Sequence, residues 1–246
     1  MTAPLVDAHA HLGSAEELRA REGIFTILCG VDPADAEKVL RLRSESIEVC
    51  CALHPWHVEE FRVENMMPFL DAAPVIGEIG LDSAWTDADM DCQRRAFVRQ
   101  LDIAREMGKP VVLHTKGMEE EIARTLERYD LTKLVHWYSC GEHLERYLDQ
   151  DCYFTVGPDV AANPAVQAVA RRAPLNRLLT ETDGMDAVAW ALNRPVAPGE
   201  LPEVLRGELR AIAMLKGISE AQVREAVWQN LQRFLGSMNP AGERQS

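Results

Sequence analysis

Eight short apolar runs, each followed by a stretch with helical spacing, recur between residues 5 and 180, and this alternation limits the fold more than any other feature of the chain. The runs cover residues 5–11, 24–29, 47–53, 75–79, 111–114, 134–136, 153–156 and 178–180. Their length and their Val, Ile, Leu and Cys content fit buried strands. Helical sequence fills 14–21, 33–43, 57–70, 89–107, 119–129, 142–149 and 164–172. Ser14 with Glu17 three residues on is a helix-start pattern, and Pro33 suits a first turn. Phe97, Leu101, Ala104 and Met107 make one apolar stripe, which Gly108 ends. A helix between two strands returns the chain to the same end of the sheet, so the strands run parallel. Eight such units in 246 residues predict a single-domain α/β chain, the (β/α)8 TIM barrel. A doubly wound open sheet is the other candidate; the dinucleotide version of it lacks its Gly-x-Gly-x-x-Gly after the first strand. Gly and Pro make 184–202 read as a long loop. Helices over 202–216 and 219–235 then close the chain. The expected organisation is one barrel over 1–236 with an extra C-terminal helix, followed by a loose tail over 237–246.

Composition narrows the function. The chain is 47% hydrophobic, enough for a large core, yet no run approaches the ~20 apolar residues of a membrane span. No basic segment followed by a long apolar stretch opens it, so no secretory signal is expected. The six cysteines form no Cys-x-x-Cys pair and lie in or beside apolar runs, which predicts reduced thiols and a cytoplasmic protein. A net charge of −13 without clustered Lys and Arg gives no support to extended nucleic-acid binding. A small anionic substrate held by metal ions stays open. No membrane and no obligate protein partner are expected.

The chemistry collects at the C-terminal ends of the strands, where barrel enzymes build their active sites. His9 and His11 end the first run, and with Asp7 they share one face of a strand. His54 ends the third, Glu78 the fourth, His114 the fifth and His136 the sixth, while Asp183 follows the eighth. One histidine at a strand end is usually an ordinary polar residue. Six N and O donors around one barrel mouth are costly to bury without a cation. Four imidazoles and two carboxylates suffice for two divalent ions, and a shared carboxylate can hold such ions about 3.5–4 Å apart. Glu78, with Gly77 and Gly80 around it, suits that bridging place. An imidazole-rich set favours Zn or another transition metal over Mg. Asp7 reads as a group that orients its neighbours, not as a ligand.

The motifs Asp7-Ala8-His9-Ala10-His11-Leu12, Gly77-Glu78-Ile79-Gly80-Leu81-Asp82 and Glu181-Thr182-Asp183, with the strand-end His114 and His136, together resemble the TatD-type metal-dependent hydrolases of the amidohydrolase-like superfamily. The resemblance runs nearly end to end, and the Glu motif separates these proteins from cousins that carry a modified lysine there. It implies two divalent ions, Zn first, with Mg, Mn or Ni as alternatives. His9, His11 and Asp183 would hold one, His114 and His136 the other, with Glu78 bridging. It also implies phosphodiester or deoxyribonuclease activity, with DNA ends among the substrates. The wall around that centre departs from the family. His114-Thr115-Lys116-Gly117 stands for the usual His-Ser-Arg-Asp, and lysine lacks the planar fork that grips phosphate. His136-Trp137-Tyr138-Ser139-Cys140-Gly141 stands for His-Cys-Phe-Ser-Gly, His54-Pro55-Trp56 for His-Pro-His, and Gly184-Met185-Asp186 for Ala-Pro-aromatic.

The expected mechanism is metal-assisted hydrolysis, with Asp183 taking a proton from an activated water and passing it to the leaving group. Asp183 and Glu78 are thus the candidate catalytic residues, and His54 and Lys116 the candidate substrate contacts. His54 either meets substrate or caps the third strand; Lys116 either steadies a negative charge or is an exposed loop lysine. Trp56, Trp85, Trp137 and Tyr138 either line the mouth or pack beneath the loops. Three function classes follow: a phosphodiesterase or nuclease, a hydrolase of amide, lactone or related bonds, and a partner protein on a decayed barrel. The complete donor set opposes the third.

Overall fold

The computed structural model describes residues 2–236. Eight parallel strands lie in chain order and form one nearly closed barrel: β1 (Leu5–Ala10), β2 (Ile24–Gly30), β3 (Ile47–Cys51), β4 (Val75–Asp82), β5 (Val111–Lys116), β6 (Lys133–Val135), β7 (Tyr153–Val156) and β8 (Leu178–Thr180). Helices α1 (Ala15–Ala20), α2 (Pro33–Leu40), α3 (Val63–Ala72), α4 (Met90–Met107), α5 (Glu119–Leu126), α6 (Leu144–Leu148) and α7 (Pro164–Arg172) follow the first seven strands. Three more, α8 (Met185–Leu192), α9 (Leu201–Lys216) and α10 (Glu220–Phe234), follow β8. The TIM barrel expected from the alternation is present, and the open-sheet alternative is not. No helix among the described residues is long and apolar enough to cross a membrane. All six cysteines are free, four of them buried. The tail expected over 237–246 lies outside the described residues.

Three expectations need correction. The stretch 184–202 is not one loop, because α8 occupies its first half. Gly184 precedes that helix and Asn193 ends it in a left-handed conformation, so the apolar run Met185 to Leu192 has room for two turns between them. The chain therefore closes with three helices after β8. Glu78 does not end the fourth strand, since β4 continues to Asp82 and β5 to Lys116. Pairing between these two strands shifts register between Ile76 and Ile79, and the extra pairs run from Ile79↔Leu113 to Asp82↔Lys116. The helix expected from residue 57 starts only at Val63, after a 3-10 turn over Pro55–His57.

β1 and β8 meet through side chains. Thr180 Oγ1 donates to the Val6 carbonyl at 2.7 Å, and Asp7 accepts from the Thr182 N–H at 2.8 Å and from its hydroxyl at 2.6 Å. Arg21 donates to the same buried Asp7 carboxylate at 2.5 Å. Asp7 is thus a clasp on the barrel seam.

The apolar stripe of α4 packs on the barrel through Phe97, Leu101 and Ala104. Burying each large member is worth roughly 1.5–3 kcal/mol. Two amides lie on the same buried face. Gln100 pairs with both the N–H (2.8 Å) and the carbonyl (3.1 Å) of Leu53, and Gln93 with the N–H (2.8 Å) and carbonyl (3.0 Å) of Asp82. These bonds pin the ends of β3 and β4, which carry His54 and Asp82 into the mouth.

Candidate metal centre

Glu78 is the hub. It is 1% exposed, and its two oxygens face different neighbours. Oε2 lies 2.9 Å from His11 Nε2, 3.4 Å from His9 Nε2 and 3.9 Å from His54 Nε2. Oε1 lies 2.9 Å from His136 Nε2 and 3.2 Å from His114 Nδ1. Asp183 joins the first side, with Oδ1 3.3 Å from His9 Nε2 and 3.5 Å from His11 Nε2. All six residues expected to hold metal therefore converge at one point.

Local backbone explains the convergence. At Gly77 a Cβ would come within 2.6 Å of Val112 Cβ, and at Gly80 it would run into the His114 carbonyl. Only glycine at both places lets β4 lie close enough to β5 to set Glu78 beside His114. His9 and His11 project from the end of β1, two residues apart. Asp183 adopts φ of 59°, an unusual conformation for a non-glycine residue. Its N–H donates to the His9 carbonyl at 3.0 Å, and Thr182 before it is fixed on Asp7.

Partners outside the cluster orient the rings. His114 Nε2–H donates to Asp82 Oδ2 at 2.9 Å, which leaves Nδ1 as the inward lone pair. Asp82 also accepts from the Trp56 indole at 2.7 Å and from the N–H groups of Ala84 and Trp85. His9 Nδ1 lies 3.0 Å from Cys29 Sγ, so a proton on Nδ1 is donated to sulfur and Nε2 faces the carboxylates. Glu181 is buried 3.6 Å from His136 Nδ1.

Charge is balanced within the cluster. Burial opposes protonation of His9, His11 and His136, but Glu78 and its neighbouring carboxylates outweigh it and raise all three. Burial would raise Glu78 and Asp183; the surrounding imidazoles hold both carboxylates well down instead. His54 is lowered by burial and by the other histidines.

These residues fit divalent cations. The His9 Nε2 atom is buried with no hydrogen-bond partner, and four further imidazole nitrogens surround a two-sided carboxylate. His9, His11 and Glu78 bring ligand atoms within 4.8 Å of one another, as do His9, His136 and Asp183, and His54, Glu78 and His114.

The remaining candidates sort as follows. His54 caps the turn after β3 by accepting from the Trp56 N–H at 3.2 Å, and it also lines the mouth. The Lys116 amine is not a free loop lysine; it donates to the Trp137 carbonyl (3.0 Å) and to Ser139 Oγ (3.2 Å). Trp56 and Trp85 are exposed and line the cavity; Trp137 touches the lining but is buried, as is Tyr138, whose hydroxyl donates to the Glu142 carbonyl. Asp82, Cys29, the two glutamines of α4 and Trp190 on α8 were not singled out from sequence. The glutamines left a readable trace, as polar residues on the apolar stripe that carries Phe97.

Comparison with known proteins gives the family and the fold. Residues 6–236 match the family described as TatD related DNase. The chain is 26% identical to a Danio rerio protein named "Putative deoxyribonuclease tatdn3", over 97% of this chain and 99% of that one. It is 24% identical to the uncharacterized metal-dependent hydrolase YcfH of Escherichia coli K12, covering 94% and 95% of the two chains. In fold it resembles the crystal structure of the TatD homologue YjjV from Escherichia coli K12, with a TM-score of 0.82 at 24% identity, over 95% of this chain and 98% of that one. This chain belongs to the TatD-related DNase family of metal-dependent hydrolases.

Proposed function

We propose that the chain hydrolyses a phosphodiester bond at the cluster around Glu78. The observation that carries this reading is the two-sided Glu78 carboxylate, with His9 and His11 at one oxygen, Asp183 against those two imidazoles, and His114 and His136 at the other oxygen. Glu78 would bridge two divalent ions, with Zn the best match to the imidazoles. Bound there, such ions supply Lewis acidity that polarises an ester oxygen and brings the pKa of a water towards neutrality.

The protein groups divide the remaining work. Glu78 is enclosed on every side and is suited to holding charge. The Asp183 side chain is 23% exposed to the cavity, and its depressed pKa keeps it a carboxylate that can accept a proton from water. It would return that proton to the leaving oxygen. The Lys116 ammonium, fixed at the end of β5, stands at the wall where a phosphoryl charge would lie, and His54 lines the same wall.

The test is metal analysis of the purified protein, followed by assay on bis(p-nitrophenyl) phosphate and on a panel of lactones and amides. The expected result is bound divalent metal and phosphodiester turnover. Asp183→Asn should retain part of the metal and lose roughly 10²–10⁴-fold in kcat, the usual span for a general acid–base group. Turnover confined to the lactone and amide panel would replace the phosphodiester reading. Protein without divalent metal, or Asp183→Asn at the wild-type rate, would remove the mechanism.

A further inference from the structure

Four of the five tryptophans of the chain, Trp56, Trp85, Trp137 and Trp190, line the cavity of about 580 Å³ above the metal centre. Two of them are anchored by their indole N–H. Trp56 donates to Asp82, and Trp137 donates to Asp159 Oδ1 at 2.8 Å while its ring lies flat on Gly157, where a Cβ would come within 2.7 Å of it. The other two form an edge-to-face chain with it. Trp190 meets Trp137 at 6.1 Å between centroids and 71°, and Trp85 meets Trp190 at 6.1 Å and 89°. Trp85 and Trp190 are 60% and 64% exposed. Rings of this size are normally kept from water when they serve packing alone, and an exposed cluster at the mouth of a site marks a binding surface.

The charges around the rings restrict what can bind. Glu17, Asp35, Asp159 and Asp186 line the same cavity, in addition to Glu78 and Asp183. Two divalent ions would carry four positive charges against these six carboxylates. Lys116 is the one lysine in the lining and no arginine is there among the described residues, while the Lys116 amine is already engaged by Trp137 and Ser139. A chain of phosphates running out of the mouth would meet Lys116 as its one basic Lys or Arg side chain among these acids. A flat neutral ring would meet indole faces.

We infer that Trp85 and Trp190, backed by the buried Trp137, form a subsite for a flat, uncharged ring of the substrate, an aryl or nucleoside ester. The ester is taken from the phosphodiester reading above, on which this part of the inference rests; the ring subsite stands on the tryptophans alone.

Calorimetric titration of the metal-loaded protein with phenylphosphonate and methylphosphonate, neither of which can be hydrolysed as an ester, tests the subsite. The expected result is tighter binding of phenylphosphonate by about tenfold or more, within the range of ring stacking on an aromatic side chain. Trp85→Ala and Trp190→Ala should each bring the ratio to within about twofold, while Trp190→Phe, which keeps a ring, should preserve it. A wild-type ratio near one, a ratio that survives both alanine variants, or no measurable phenylphosphonate binding would overturn the subsite. Thymidine 5′-monophosphate separates the sources: Trp190-dependent binding as tight as that of phenylphosphonate identifies a nucleoside ester, and weaker binding an aryl ester. A protein that turns over no phosphodiester yet keeps its tryptophan-dependent ring preference would lose the function proposed above and keep this subsite.

Discussion

At the scale of single residues, the carboxylates of this barrel divide by their partners. Glu78 and Asp183 lie among imidazoles and are held ionised, whereas Glu208 on α9 is buried with neither oxygen hydrogen-bonded and with Asp7 and Glu181 nearby. Burial first, then those negative neighbours, pushes the Glu208 carboxyl well above its ordinary value of 4.5. In the unfolded chain the same group loses its proton near its ordinary value. The folded state therefore binds the extra proton, and stability is lost as pH rises from about 4.5 through the raised folded pKa, by roughly 1.4 kcal/mol for each unit that separates the two. Glu208→Gln cannot ionise and should stabilise the protein more at pH 8 than at pH 5, read as the difference in melting temperature from wild type. An equal difference at both pH values would refute this account. The expected metal residues were readable one by one because each lies in the C-terminal half of a strand or just after one, where it interrupts or follows an apolar run. Asp82 was hidden in a Gly-Leu-Asp run, and its role as the partner of His114 Nε2 depends on β4 passing β5 in one register.

At the scale of elements, the β4–β5 pair and α8 decide the site. Glu78 reaches the histidines because Gly77 and Gly80 remove two Cβ atoms between neighbouring backbones. Gly80→Ala should push the strands apart, cost about 1–3 kcal/mol in urea unfolding and lower metal content together with stability. Unchanged stability and metal content would mean that the close approach is not needed. The alternation of apolar runs and helical spacing made the eight strands and most helices legible before any coordinates. Helix α8 was not, because Gly184, Pro195, Pro198 and Gly199 around it read as loop composition, while the helix itself is only Met185–Leu192. Docking of Met185 and Val188 into the core stabilises what local propensity leaves marginal, and it carries Trp190 to the mouth.

At the scale of the whole molecule, closure sets the chemistry, since it brings His9 and Asp183, 174 residues apart in sequence, to 3.3 Å. The seam depends on Asp7, which joins Arg21 on the outer side to Thr182 on β8's exit. Arg21→Ala leaves that carboxylate buried with one partner fewer and should cost about 3–5 kcal/mol in urea unfolding, whereas exchanging both Arg21 and Asp7 for apolar residues should cost less. A loss below about 1 kcal/mol for Arg21→Ala would show that the clasp does not hold the seam. The chain itself determined the barrel and its donor set, because strand and helix periodicity are local properties and because the histidines and carboxylates recur at the same point of successive units. Tertiary structure alone decided which nitrogen each histidine turns inward, that Asp7 clasps the seam while Asp183 joins the histidines, and that four tryptophans from separate loops and α8 share one cavity. Those outcomes depend on distances between segments far apart in the chain, which are fixed only when the barrel packs.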